Sequence, residues 1–220
     1  MRESEFLDGY RGDAMSPVYW GRRGTTPTNE ILTSIKKRFP STLASDESTE
    51  GIFDFLYGLV RLRRPNQVVE FGTHDGLATA FIAHALAENA NGGTVVGYEL
   101  IQEHVTNAES LISALGYESI ASFVLGDVYA IEDGTIPANF AFIDIMPKNQ
   151  YSDAYRKLID DSRLSTICMH DSNFRGLSTG LSEGALACRD MLEAEGWKTI
   201  NIPEERGLVV ALRGKENRRT

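Results

Sequence analysis

The residues best placed to do chemistry are acids and glycines that follow short apolar runs. In Val68-Val69-Glu70-Phe71-Gly72-Thr73-His74-Asp75-Gly76, the two glycines occupy a turn that leaves an apolar run and opens a helical pattern. Glycine gives such a turn backbone freedom and lets a ligand lie on it without meeting a Cβ. The N-terminus of the following helix offers unpaired N–H groups and a partial positive charge, which suits a carboxylate or a phosphate. Two common phosphate-binding turns are excluded. The dinucleotide turn needs G-x-G-x-x-G, and the P-loop ends in Gly-Lys-Ser/Thr where this chain has Asp75-Gly76-Leu77. Further along, FIDIMPKNQY and MHDSNFRG place Asp144 and Asp171 directly after apolar runs. Two buried carboxylates close together repel, and one pKa rises unless a cation joins them. A hard divalent ion with oxygen ligands, Mg2+ foremost, would join them and would lower the pKa of a neighbouring hydroxyl. His74 lies inside the glycine turn and His170 precedes Asp171. Both are site candidates, His170 as base or metal ligand, although alternation along its run also allows it to face the core. His84, in the middle of a helical pattern, and His104, at a polar helix start, read as structural or surface residues.

The elements that must position these groups are legible from periodicity. Apolar runs occur at QVVEF (67–71), TVVGYEL (94–100), SFVLG (122–126), FAFIDI (140–145) and STICMH (165–170). They are continuous rather than alternating, which predicts strands buried on both faces. Between them lie EGIFDFLYGLVRL just before the first run, then LATAFIAHALAEN, IQEHVTNAESLISALG, a Pro/Gly-containing link near 128–139, and YSDAYRKLIDD. Strand–helix alternation predicts a parallel α/β sheet. A helix over roughly Leu181–Glu195 follows, and then WKTINIP and LVVALR, too close together for a parallel crossover. They predict an antiparallel hairpin. Ligands of such sheets collect at the carboxyl ends of the strands, where Gly72, Asp144 and Asp171 all fall.

Residues 1–27 mix Gly, Pro, charges and aromatics without sustained periodicity and read as an extended arm, followed by a helix capped by Asn29. The whole chain has 220 residues and a formal charge of −9, a size that suits one sizeable domain with an extension. The acidic balance argues against sequence-independent nucleic-acid binding. No apolar run approaches a bilayer span and the first 30 residues lack an apolar signal-peptide core, so a soluble, cytoplasmic protein is expected. Cys168 and Cys188 make neither a disulfide framework nor a zinc cluster.

Glu-x-Gly-x-x-x-Gly at 70–76 resembles motif I of the class I S-adenosylmethionine-dependent methyltransferases. Glu99 at the end of the second strand, Asp127 in LGDV after the third, and the terminal hairpin extend the resemblance over roughly residues 50–213. It implies an α/β, Rossmann-like, seven-stranded, mostly parallel sheet of order 3-2-1-4-5-7-6 with helices on both faces. A methyltransferase domain at 49–220 would follow an N-terminal arm and helix at 1–48. It further implies S-adenosylmethionine as cofactor. Gly72, Thr73, His74 and Gly76 would line its methionine, Glu70 would help hold its amino group, Glu99 would accept from the ribose hydroxyls, and Asp127 would contact the adenine amino group.

On the acceptor side the sequence resembles the catechol-type metal-dependent O-methyltransferases and the sugar O-methyltransferases of antibiotic pathways. That implies methyl transfer to a hydroxyl of a small molecule, with Asp144, Asp171 and Asn173 holding Mg2+ and Lys148 or His170 taking the proton. The arm (with Tyr19 and Trp20), Tyr151 and Phe174 would shape the acceptor pocket. Three departures stand against the pattern: the spacing from Asp144 to Lys148 has one residue more than the catechol pattern, Ser172 replaces the expected Asn, and DDSRLS stands where a Pro-Gly-Gly turn is usual. A metal-independent enzyme of the same fold and a non-catalytic binding module therefore stay open. Arms of this kind pack across dimers in such families, which leaves a homodimer open as well.

Overall fold

Seven strands order themselves by burial. In the computed structural model, which describes residues 50–159, 163–172, 183–202 and 206–213, they form one sheet of order β3-β2-β1-β4-β5-β7-β6. The strands are β1 (Gln67–Phe71), β2 (Thr94–Glu99), β3 (Ala121–Leu125), β4 (Phe140–Ile143), β5 (Thr166–His170), β6 (Lys198–Ile202) and β7 (Leu208–Leu212). The first five pair in parallel, and β7 runs antiparallel to both β5 and β6. Central β4 and β5 are buried along their whole length, as their continuous apolar runs predict. The outermost strands β3 and β6 are largely exposed instead. Edge strands have a neighbour on one side only and need less apolar cover.

Alternation along each strand feeds two cores. Val68, Phe140, Phe142 and Cys168 pack on one face with α1 (Glu50–Arg63), α2 (Leu77–Asn89) and α3 (Gln102–Leu115). Val69, Ala141, Ile143 and Met169 pack on the other with α4 (Tyr151–Arg156), α5 (Glu183–Ala194) and Trp197. The alanine-rich α2 is buried nearly all round, so its sequence lacks a polar face. α4 stops after six residues, short of the helical pattern that runs on to 161. The chain turns there so that Leu158 bridges Ile136, while the Lys157 carbonyl accepts from the N–H groups of Thr135 and Ile136. A tertiary pairing overrides local propensity at that point.

The arm with Tyr19 and Trp20, the Asn29-capped helix, Asn173 and Phe174 lie outside the described residues, as does the side chain of Lys148. Among the described residues no helix is long and apolar enough to cross a membrane.

Candidate functional site

The strand order reverses between β1 and β4, and a sheet of this kind opens a crevice at that point, beyond the carboxyl ends of its strands. A cavity of about 390 Å³ lies there, walled by Gly72 and His74 from the β1–α2 turn, Glu99 from β2, Asp127 after β3, and Asp144 after β4. His104, from the first turn of α3, completes the rim. Sequence reasoning missed this last residue, because only the packing of α3 against the β1–α2 turn brings it to the cavity. Thr73, Gly76 and Glu70 do not line the cavity but stand behind it.

The two turn glycines serve the protein's own backbone. Gly72 has φ +85°, and a Cβ there would stand 2.1 Å from the Asp144 carbonyl oxygen. That closeness follows from the ladder, in which the Gly72 N–H donates to the Tyr98 carbonyl and the Asp144 N–H donates to the Phe71 carbonyl. Gly76 has φ +84°, and a Cβ would stand 2.8 Å from the Ala108 Cβ, so it allows α2 to start against α3. At both glycines a Cβ would meet the chain itself, and Gly72 also stands on the cavity wall. Thr73 is buried, and its hydroxyl donates to the Tyr98 carbonyl at 3.3 Å.

Glu99 is the best-anchored acid of the cavity. Its Oε2 accepts from the His74 N–H at 2.8 Å, and its Oε1 from the N–H groups of Leu100 and Ile101 at 2.9 and 3.0 Å. A carboxylate offers about four lone-pair sites, so three backbone donors leave capacity for about one further strong donor, not two. Asp127 caps a 3-10 turn, accepting from the Tyr129 N–H at 2.9 Å, and keeps its place on the cavity wall.

Glu70 is fully buried. Its Oε2 accepts from the Thr79 hydroxyl, while its Oε1 has no partner among the described residues. Burial, reinforced by the nearby charges of Asp144 and Glu99 and only partly offset by Thr79, pushes its pKa up to about 8. The fold thus favours the neutral acid, and the protein loses stability as pH rises from the ordinary carboxylate range through about 8. A Glu70→Gln protein, neutral throughout, is expected to lose that slope and to be the more stable form above pH 8. Chemical denaturation across this range measures it, and parallel curves for the two proteins would show that Glu70 is not the titrating group.

Asp144 and Asp171 do come together, though not around a free cavity. The His170 Nδ1 lies 2.9 Å from Asp144 Oδ2 and 3.7 Å from Asp171 Oδ1. Arg206, which precedes β7, clasps Asp171 with both arms: Nε donates to Oδ1 at 2.7 Å and Nη2 to Oδ2 at 3.1 Å. Donor atoms of Asp144, His170 and Asp171 lie within 4.8 Å of one another, a spacing a metal could use. Yet both oxygens of Asp171, a residue only 1% exposed, already accept from a guanidinium, and one oxygen of Asp144 is held by an imidazole. These residues do not fit Mg2+: the positive charge that two converging carboxylates require comes from Arg206 itself. Sequence spacing had no means of pointing to Arg206, which is 35 residues from its partner.

His170 is buried beside Phe142, and its Nε2 is without a partner among the described residues. Only Asp144 of this group reaches the cavity. Lys148 begins a 3-10 turn that follows a cis Met146–Pro147 peptide. Tyr151, expected at the acceptor pocket, is fully buried in the core beneath α4. His84 proves structural, as expected, its Nδ1 lying 2.7 Å from the Tyr117 hydroxyl.

No family model matches the sequence, and no curated protein is significantly similar to it. Solved structures are a different matter. The O-methyltransferase TomG of Streptomyces achromogenes, which is involved in tomaymycin synthesis and was crystallised with S-adenosylmethionine, superposes with a TM-score of 0.64 at 17% identity over 96% of this chain and 99% of its own. This chain has their fold. An O-methyltransferase from Bacillus cereus, in complex with S-adenosylhomocysteine, gives 0.64 at 19% identity over 94% and 97% of the two chains. The methyltransferase PaMTH1 of Podospora anserina, bound to S-adenosylhomocysteine, gives 0.63 at 14% identity over 96% and 95%.

Proposed function

We propose that this protein transfers the methyl group of S-adenosylmethionine to a hydroxyl of a small molecule, with no divalent cation. The observation that carries the reading is the cavity at the reversal of strand order, walled by the acids Glu99, Asp127 and Asp144, with the Oε1 of Glu70, unpartnered among the described residues, behind it. Acids on three sides suit a ligand that carries both a sulfonium and an ammonium. The bound cofactor supplies an electrophilic methyl group open to in-line displacement. The chain's residues supply position and electrostatics. Gly72 and His74 would border its methionine moiety, Glu99 would use its remaining lone pair on one ribose hydroxyl, and Asp127 would face the adenine. Glu70 would bring its orphaned Oε1 to the amino group, through water or directly.

Asp144 is the cavity's proton acceptor. The imidazole Nδ1–H of His170 donates to its Oδ2, which orients the carboxylate for the acceptor hydroxyl. The pair thus does what a metal and a lysine would do elsewhere. His170 acts through Asp144 and is a positioning residue. The fold shared with O-methyltransferases, one of them involved in tomaymycin synthesis, supports a hydroxyl as the methyl acceptor.

Calorimetry tests the first step. S-adenosylhomocysteine is expected to bind, and at pH 7 binding releases protons, because an ammonium beside Glu70 favours its ionised form. The observed enthalpy then varies with the ionisation enthalpy of the buffer, and the variation shrinks in Glu70→Gln. Absence of binding overturns the reading altogether. In an activity assay, a chelator is expected to leave turnover unchanged; a turnover lost with EDTA and restored by Mg2+ would replace the Arg206 account with a metal.

A further inference from the structure

We propose that the cavity rim carries a further feature: a site for one divalent transition-metal ion of the Zn2+ or Co2+ class, formed by His74, Asp75 and His104. The three residues come from the β1–α2 turn and the first turn of α3, and their donor atoms lie within 4.8 Å of one another. The imidazole rings of His74 and His104 are 4.1 Å apart between centroids and tilted by 41°, so they converge without lying flat on each other. His74 holds its place with φ +47°, a backbone conformation uncommon for any residue with a side chain. Asp75 Oδ2 lies 3.5 Å from the Nδ1 of His74.

Two of the three ligands have a support behind them. Asn107, one turn along α3 from His104, donates through its side-chain amide to Asp75 Oδ1 at 3.0 Å, which leaves Oδ2 as the oxygen that faces the imidazole. The Nδ1 of His104 lies 3.5 Å from Glu99 Oε1, and Glu99 is itself fixed by three backbone N–H groups. That carboxylate, 3.5 Å from one imidazole nitrogen, adds negative charge that favours a cation at the other. Two imidazoles and one carboxylate select a borderline ion and disfavour Mg2+ and Ca2+, which take oxygen ligands. Bonds of about 2.0–2.2 Å would draw the donors closer than they now stand, and the His74 side chain, 72% exposed, is free to make that movement. Three protein ligands leave an open coordination position, as in zinc sites that bind a further molecule. The contrast with the Asp144 group is chemical: there a guanidinium neutralises the acids, whereas here no arginine or lysine is paired with Asp75 among the described residues.

The test needs neither methyl transfer nor cofactor. Untagged full-length protein, stripped with chelator and dialysed, is titrated with Co2+ while visible absorption and binding heat are followed, and Zn2+ is then added as competitor. The chain has four histidines in all, so the assignment is bounded. One equivalent of Co2+ is expected to bind and to be displaced by Zn2+. His74→Gln and His104→Gln should each abolish the signal, and Asn107→Ala should weaken affinity about 10-fold. His170→Gln should retain it. Melting temperatures of the variants without metal show that they fold. Failure of Co2+ to bind, or binding lost in His170→Gln and kept in folded His104→Gln, would overturn the proposal.

Discussion

An Asp144→Asn protein is expected to lose about 10²- to 10⁴-fold in kcat, the range set by removing a positioned proton acceptor. Asparagine keeps the size of the side chain and an oxygen toward His170, but it cannot take a proton at neutral pH. On the proposed role the loss falls on kcat, with the KM for the acceptor changing far less, because the proton moves only as the methyl group transfers. The companion variant His170→Gln keeps a donor near Asp144 Oδ2, now an amide in place of the imidazole Nδ1 at 2.9 Å. It should show a smaller loss and a displaced acid limb of the pH–rate profile, which a purely structural role would not produce. A kcat for Asp144→Asn within about threefold of the parent would remove Asp144 from the chemistry, because no positioned base contributes so little.

The second large effect concerns stability. Arg206→Met is expected to cost about 3 kcal/mol, because it leaves the Asp171 carboxylate, 1% exposed, without its charge partner. This sits at the lower edge of the usual range for breaking a buried pair, since His170 stands 3.7 Å from Asp171 and the guanidinium side chain is 30% exposed. For a chain of this length the melting temperature should fall by roughly 6–12 °C. Adding Asp171→Asn should recover most of the loss, for two reasons. The amide carries no charge to strand, and asparagine tolerates the left-handed backbone that Asp171 adopts with φ +62°. A single variant that melts within a degree or two of the parent, or a double variant no better than the single, would show that the Arg206 fork does not neutralise Asp171.

The two variants bear on one physical question, which is how two acids tolerate each other at the end of a parallel sheet. Charge balance demanded a cation near Asp144 and Asp171, and that demand was visible from residue types alone. Which cation answers it was not. A divalent ion and a guanidinium satisfy the same electrostatics, and only the hairpin that brings Arg206 back beside β5 distinguishes them.

Strand positions came from the sequence within a residue or two, because burial on both faces writes an unbroken apolar run for β4 and β5. The antiparallel character of β6 and β7 was equally legible, since a few intervening residues cannot carry a crossover. Gly72 and Gly76 marked the turn, and Glu99 and Asp127 marked strand ends, because those features are local. What tertiary structure decided was every question of direction and partnership. It placed Thr73 and Gly76 behind the cavity wall and turned Tyr151 into the core. It set His104 against His74, and it engaged three of the acceptor sites of Glu99 with backbone N–H groups. The physical reason is common to all of these. A pattern of period 2 or 3.6 records how often a residue faces the core, whereas a site is made where separate elements converge, and that convergence is fixed by sheet order and helix packing.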